Sequence, residues 1–284
     1  MKKVRARSFG FIILLMTILL ALSASKGDEQ NTYFWEKPAP ETKERTRYSY
    51  ECIERNTLSS YGKAIYDQYL PLVKELKPIQ IDMYAIQSQE QAYDVCYALI
   101  ALTKDYPEIE NYMDPYINYF KRDGKITYKS RWGEDYTKKK DIKGGIDTMR
   151  AVADDIIAGI PKEDSPYEIY LYLAKELCEK TTYDEKLSDE GMRSYGALVD
   201  GISSCSGYAS AYRYLCQRAN LWCDTVVSDT HAWNLVKLES GTYHVDVTWA
   251  DEFKPYTKGW HQFLFMTEEE VLELDDHKIV EKEE

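Results

Sequence analysis

Residues 201–220, GISSCSGYASAYRYLCQRAN, read as a turn running into a helix. Tyr208, Ala209, Tyr212, Leu215, Cys216 and Ala219 recur at helical spacing and predict one buried stripe. Ser203 or Ser204 suits the cap, which leaves Cys205 in or beside the first turn. Unpaired backbone N–H groups and the positive end of the helix dipole favour a thiolate there, lowering the pKa of a cysteine so placed. Taken alone, a cysteine in such a position is more often buried filler than a nucleophile.

Downstream the period changes from helical to alternating. Residues 225–228 (TVVS) predict a short strand, 231–238 (HAWNLVKL) a second, and Ser240-Gly241 turns the chain into a third, 242–249 (TYHVDVTW). His231 therefore opens one strand and Asp246 lies within its hairpin neighbour. A mid-strand aspartate is disfavoured by propensity and needs a reason. Holding an imidazole in one tautomer is such a reason. His244 shares a strand face with Asp246, which suggests packing or a supporting contact. His261 and His277 have no partner visible in the sequence.

Upstream, Ser165, Pro166 and Glu168 form a capping box ahead of Ile169, Tyr172, Leu173, Glu176 and Leu177. A helix precedes it, carrying Ile146, Met149, Val152, Ala153, Ile156 and Ile157, and stops at Gly159 and Pro161. The charged stretch 137–143 with Gly144-Gly145 reads as a boundary. Between 47 and 135 the pattern is helical first. Leu58, Ile65, Tyr69 and Val73 recur at helical spacing, and Pro71 should end or kink the element. Residues 89–104 give a stripe of Ala92, Tyr93, Cys96, Leu99, Ile100 and Thr103. Then residues 116–122 and 125–132 alternate around Asp123-Gly124, a hairpin signature. The acidic stretch from Glu268 reads as a last helix and a solvated end.

The first 25 residues read as an address. Lys2, Lys3, Arg5 and Arg7 precede an uncharged run at 9–24, and small residues follow where a signal peptidase cuts. Sixteen residues are short for a bilayer span of about 20, so an uncleaved N-terminal anchor is the lesser reading and the only membrane contact expected. Residues 26–46 are polar and aperiodic, a tether apart from Tyr33-Phe34-Trp35. The chain of 284 residues carries 36 basic and 48 acidic side chains, a net charge of −12. That excess, with no basic stripe beyond the leader, excludes a nucleic-acid partner. The 25 tyrosines suit aromatic packing or a peptide or sugar groove equally. Six cysteines (Cys52, Cys96, Cys178, Cys205, Cys216, Cys223) in an exported chain invite disulfides, yet their spacing is irregular. Cys178 and Cys216 fall on apolar helix faces. With no CxxC pair and four histidines, no metal site is expected.

The run GISSCSGYASAYRYL, then HAWNLVKL, then YHVDVTWAD resembles the transglutaminase-like superfamily, in particular its exported bacterial members. The resemblance spans residues 165–266, with small residues around the cysteine, an aromatic two places after the histidine and Asp-x-Thr at Asp246. The region before it resembles, less specifically, an N-terminal extension of bacterial relatives. The resemblance implies an α+β fold: a papain-like, transglutaminase-like core in which the cysteine helix packs on an antiparallel sheet presenting histidine and aspartate. A mostly helical N-terminal region with one hairpin precedes it. The expected organisation is thus a signal or anchor at 1–25, a tether at 26–46, the helical region at 47–136 and a catalytic domain at 137–284.

Carried over, the family roles make Cys205 the nucleophile, His231 the general base and then acid, and Asp246 the residue that orients His231. The thiolate attacks an amide carbonyl, from a peptide bond or a glutamine side chain, and the acyl-enzyme passes to water or an amine. No cofactor is required, and the partner is a protein or peptide substrate outside the cytoplasm, secreted or at the cell surface. Animal transglutaminases place a tryptophan upstream of the cysteine to help bind the oxyanion. Here none lies between Trp132 and Trp222, which weighs against cross-linking. Tyr195 or Tyr183 is the candidate second oxyanion donor beside the Cys205 N–H, and Trp233 and Trp249 are candidate cleft walls. The competing readings are a non-catalytic surface binding module that keeps the fold and a true protein-glutamine amine transferase.

Overall fold

The computed structural model describes residues 53–82, 85–112, 125–126, 139–186 and 192–277. The expected signal and tether lie outside these residues, as does Cys52. The hairpin at 116–132 does too, apart from Lys125 and Ile126.

The described chain is α+β. It opens on α1 (Ile53–Thr57) and α2 (Ser60–Lys74), the latter capped by Ser59, whose side chain accepts from the Gly62 N–H. Pro71 does not end α2. A proline forfeits its own N–H, but its carbonyl still serves the last turn, accepting from Glu75 at 3.1 Å. A two-residue strand β1 (Ile79–Gln80) pairs antiparallel with β2 (Lys125–Ile126), and between them run α3 (Gln89–Asp105) and the single turn α4 (Pro107–Glu110). The buried face of α3 is Val95, Ala98, Leu99, Ala101, Leu102 and Thr103, so that of the stripe expected from the sequence Leu99 and Thr103 are buried and the rest are not. Tyr93 and Tyr97 are exposed instead. The inward face is the one that joins Tyr66, Tyr69 and Val73 of α2 in one apolar cluster, while the Tyr93 hydroxyl is met by the Gln89 amide.

The long helix α5 (Lys139–Ala158) begins inside the charged stretch and runs through Gly144-Gly145, so this pair is not a break in the helix. A Cβ on Gly145 would lie 1.7 Å from the Tyr112 hydroxyl oxygen, and this close approach is what the missing side chain permits. Ile142 and Ile146 join the α2–α3 cluster. Next, α6 (Pro166–Lys180) starts with the complete capping box, Ser165 Oγ accepting from the Glu168 N–H and Glu168 reaching back to the Ser165 N–H.

Strand β3 (Thr182–Tyr183) pairs in parallel with β4 (Ile202–Ser203), across a π-helical turn at Gly196–Asp200. Gly201 closes that turn at φ +71°, a left-handed conformation in which a Cβ would also press the Lys180 carbonyl at 3.2 Å. The chain then enters α7 (Cys205–Arg218), whose predicted stripe is buried throughout, Tyr208, Ala209, Tyr212, Leu215, Cys216 and Ala219 alike. α7 lies on a four-stranded antiparallel sheet of order β5 (Cys223–Val227), β6 (Ala232–Leu238), β7 (Gly241–Val245) and β8 (Leu264–Met266). Asn234 stitches the layers: its amide donates to the carbonyls of Ala209 on α7 (3.0 Å) and Asp224 on β5 (3.2 Å). On α7, Arg213 reaches back to the Glu54 carboxylate at 3.2 Å and the Lys104 carbonyl at 2.6 Å, tying the helix to α1 and α3.

Tyrosine over-use has an answer in the core. Tyr66, Tyr170, Tyr208 and Tyr212 are fully buried, and each hydroxyl donates inward, to Asp105, the Trp222 carbonyl, Asp251 and the Tyr170 carbonyl respectively. The chain continues through α8 (Val247–Ala250), α9 (Lys258–His261), α10 (Glu268–Leu272) and a 3₁₀ turn at Asp275–His277. Among the described residues, no helix is long and apolar enough to cross a membrane, and the five described cysteines are free.

Candidate active site

Cys205 is the first residue of α7, delivered there by the β3–β4 pair. Ser204 occupies the cap position with extended backbone but without a side-chain cap hydrogen bond. The helix N-terminus is therefore not closed by its own serine.

His231 ends the tight connection between β5 and β6. Ser228 organises it: its Oγ accepts the His231 and Thr230 N–H groups at 3.0 and 3.3 Å, and its own N–H donates to the His231 carbonyl at 2.9 Å. The next residue, Ala232, is already paired with Val227, so the imidazole projects from the anchored end of a strand.

Asp246 is not mid-strand. It follows β7 and caps α8, its Oδ1 accepting the Trp249 N–H at 3.1 Å. A β-bulge precedes it: β7 pairs with β8 as His244–Met266 and Val245–Leu264, leaving Phe265 unmatched at φ +60°. The capping role removes the propensity objection that the sequence raised. It leaves Oδ2 for the imidazoles.

Asp246 Oδ2 lies 2.7 Å from His231 Nε2. Burial alone pushes the Asp246 carboxyl up, but His231, through charge and hydrogen bond, and His277 outweigh it and hold it down at about 2. Burial likewise pulls the His231 imidazole down, and Asp246 first, then Cys205, reverse this and raise it to about 10. At Cys205, burial would raise the thiol. A hydrogen bond and charge from His231, with the backbone N–H groups of Ala232 and Ser206, bring it below the ordinary thiol value. By contrast, burial raises Cys96, Cys178 and Cys216, Cys178 to about 12. Cys205 thus faces a basic imidazole whose other nitrogen is fixed on a buried carboxylate, an arrangement that favours a thiolate–imidazolium pair.

Trp233 is buried and stacks on His231, with ring centroids 6.0 Å apart and planes 15° apart, while its indole N–H donates to His244 Nδ1 at 2.8 Å. Trp249 meets His231 edge-on at 6.1 Å. Both therefore contact the imidazole. His244 takes the supporting part expected of it, with Nε2 2.8 Å from Glu268. Half-buried Tyr183 comes near the thiol: burial raises its phenol first, and the charges of Cys205, Asp184 and Asp246 add to that. Tyr195 packs its ring 3.6 Å from the Cβ position of Gly145 on α5, and its N–H donates to Asn111.

His277, which had no visible partner in the sequence, is completely buried here. Its Nε2 lies 2.8 Å from the same Asp246 Oδ2 and its Nδ1 2.8 Å from Asp276. Nothing local marks it in Asp-Asp-His at the end of an acidic stretch. Its one distinction is to be among only four histidines. His231, Asp246 and His277 keep their donor atoms within 4.8 Å of one another, as a metal site would. Both imidazoles, however, aim at one carboxylate oxygen at hydrogen-bond length, which is the geometry of shared protons rather than of ligands around a common centre.

No protein-family model matches this chain, and no curated protein matches it in sequence. Among solved structures it is similar to a chain described as the crystal structure of a TGase, with a TM-score of 0.33 and 12% identity. The match covers 44% of this chain and 40% of that one.

Proposed function

We propose that this protein is an exported thiol enzyme that attacks amide carbonyls through Cys205 and hands the acyl group to water in preference to an amine. The observation that supports it most is the hydrogen-bonded sequence from Cys205 through His231 to Asp246, begun at a helix N-terminus and ended on a buried carboxylate. The thiolate adds to the carbonyl carbon. The oxyanion is met by the Cys205 N–H at the head of α7 and by the Tyr183 hydroxyl. His231 then gives its proton to the leaving nitrogen, the C–N bond breaks, and the thioester remains. Water, losing a proton to His231, splits the thioester and restores the thiol. Asp246 keeps the proton-bearing Nε2 of His231 turned inward throughout. The missing upstream tryptophan is the reason to rank water above an amine. Export rests on the leader-like first 25 residues.

The test needs no substrate. Alkylation of Cys205 is followed against pH by peptide mass spectrometry on the full chain, with His231→Ala beside it. An apparent pKa well below the free-thiol value of about 8.5, lost in the variant, supports the reading. A Cys205 that resists labelling or titrates like an ordinary thiol overturns it in favour of a binding module.

A further inference from the structure

We infer that His277 is a positioning residue of this site: a second imidazole that shares the Asp246 carboxylate with His231 and stays protonated, easing release of the His231 proton to a leaving group. The inference rests on the thiol-enzyme reading above.

The argument begins with hydrogen counting. A carboxylate only accepts. His277 Nε2 faces Asp246 Oδ2 and Nδ1 faces Asp276 Oδ1, each at 2.8 Å, so two ionised carboxylates require both ring nitrogens to donate. That is imidazolium. The ring is fully buried, which penalises the charge, but the two carboxylates answer it at hydrogen-bond distance. The groups facing it are Asp246 from the turn after β7, His231 from the head of β6 and Asp276 from its own turn. Glu252 and Tyr183 also feel Asp246. Trp233 and Trp249 pack on the ring at 4.6 and 5.4 Å.

The segment is also tied to the site independently. Ser228 Oγ, which already accepts the His231 N–H, donates to the Asp276 carbonyl. One serine therefore sets the position of both imidazoles. The ring centroids of His231 and His277 are 4.8 Å apart. A fixed positive charge at that range opposes protonation of His231, while Asp246 favours it. The opposition is mutual, since the His231 charge also lowers His277, and the balance on the shared carboxylate leaves His231 at about 10.

The chain has four histidines, so nitrogen NMR of ¹⁵N-histidine-labelled full-length protein is assignable by single substitutions. His277 is expected to show two protonated nitrogens at pH 7. His277→Gln, which can still donate to Asp246 but carries no charge, is expected to move the His231 titration upward by about one pH unit. Asp276→Asn, at a partly exposed side chain, should move it less and in the same direction, and carries the test if His277→Gln does not fold. A neutral His277 at pH 7, or a His231 titration unmoved in these variants, overturns the inference. If Cys205 alkylation in the wild type remains that of a poised thiolate, only the role of His277 falls. An ordinary thiol there removes the functional reading itself.

Discussion

Asp105, among the N-terminal helices, and Asp246, at the end of the inner strand β7, are both buried and both accept three hydrogen bonds. Asp105 takes the backbone N–H groups of Glu54 and Arg55 and the Tyr66 hydroxyl. Asp246 takes the Trp249 N–H and two imidazoles. Their carboxyls move in opposite directions: burial dominates at Asp105 and raises it, whereas at Asp246 the imidazoles overcome burial and lower it. Equal numbers of hydrogen bonds do not make equal sites; the charge on the donors decides. Asp105 pins α1 to α3. Asp246 is built to stay ionised.

Substitutions can break this contrast in order of size. Cys205→Ala should abolish amide cleavage, a loss on the order of 10⁶-fold, with an unchanged thermal midpoint; the readout is product release from a peptide or glutamine donor. Asp246→Asn should cost on the order of 10⁴-fold in kcat, because His231 loses the acceptor that fixes its tautomer. Asp105→Asn should leave kcat/KM alone and cost roughly 1–3 kcal/mol of stability, measured by denaturant unfolding. If the two variants lose activity equally, the contrast is wrong.

The pH dependence of stability should carry opposite signs. Unfolded aspartate titrates at about 3.9. Folded Asp246 sits at about 2, so its contribution is present above the unfolded value and is lost as pH falls from there through about 2. The wild-type advantage over Asp246→Asn, about 2 kcal/mol from this term, should therefore shrink over that range. Asp105 is raised, so its contribution is present below the unfolded value and is lost as pH rises through its folded value. On the helical side, Gly145→Ala should destabilise by roughly 1–3 kcal/mol by driving a methyl into Tyr112. Adding Tyr112→Phe should recover part of it.

The contrast also separates what sequence can reveal from what it cannot. The capping box at Ser165, the stripe of α7 and the position of Cys205 at its head are local properties, and local periodicity and caps expose them. So is the succession of three strands. The face of α3 is legible only in part, through Leu99 and Thr103, because its inward side is chosen by α2 and tyrosines are amphipathic enough to lie on either side. Asp246 looked like a strand residue because a one-turn helix leaves no period to read. Gly144-Gly145 looked like a break because the reason for a small residue, Tyr112, lies in another part of the chain. His277 is the extreme case, 31 residues from the carboxylate it meets. No pattern of neighbours predicts a contact made by the folding back of the last described turn.

The buried tyrosines have an optical consequence. Burial pushes the phenols of Tyr208, Tyr212 and Tyr214 far above their ordinary value, and the Tyr208 and Tyr212 hydroxyls are engaged as donors inside the core. They cannot become phenolate while the core is closed. In alkali, absorbance near the phenolate band should therefore include a cooperative step when the core opens.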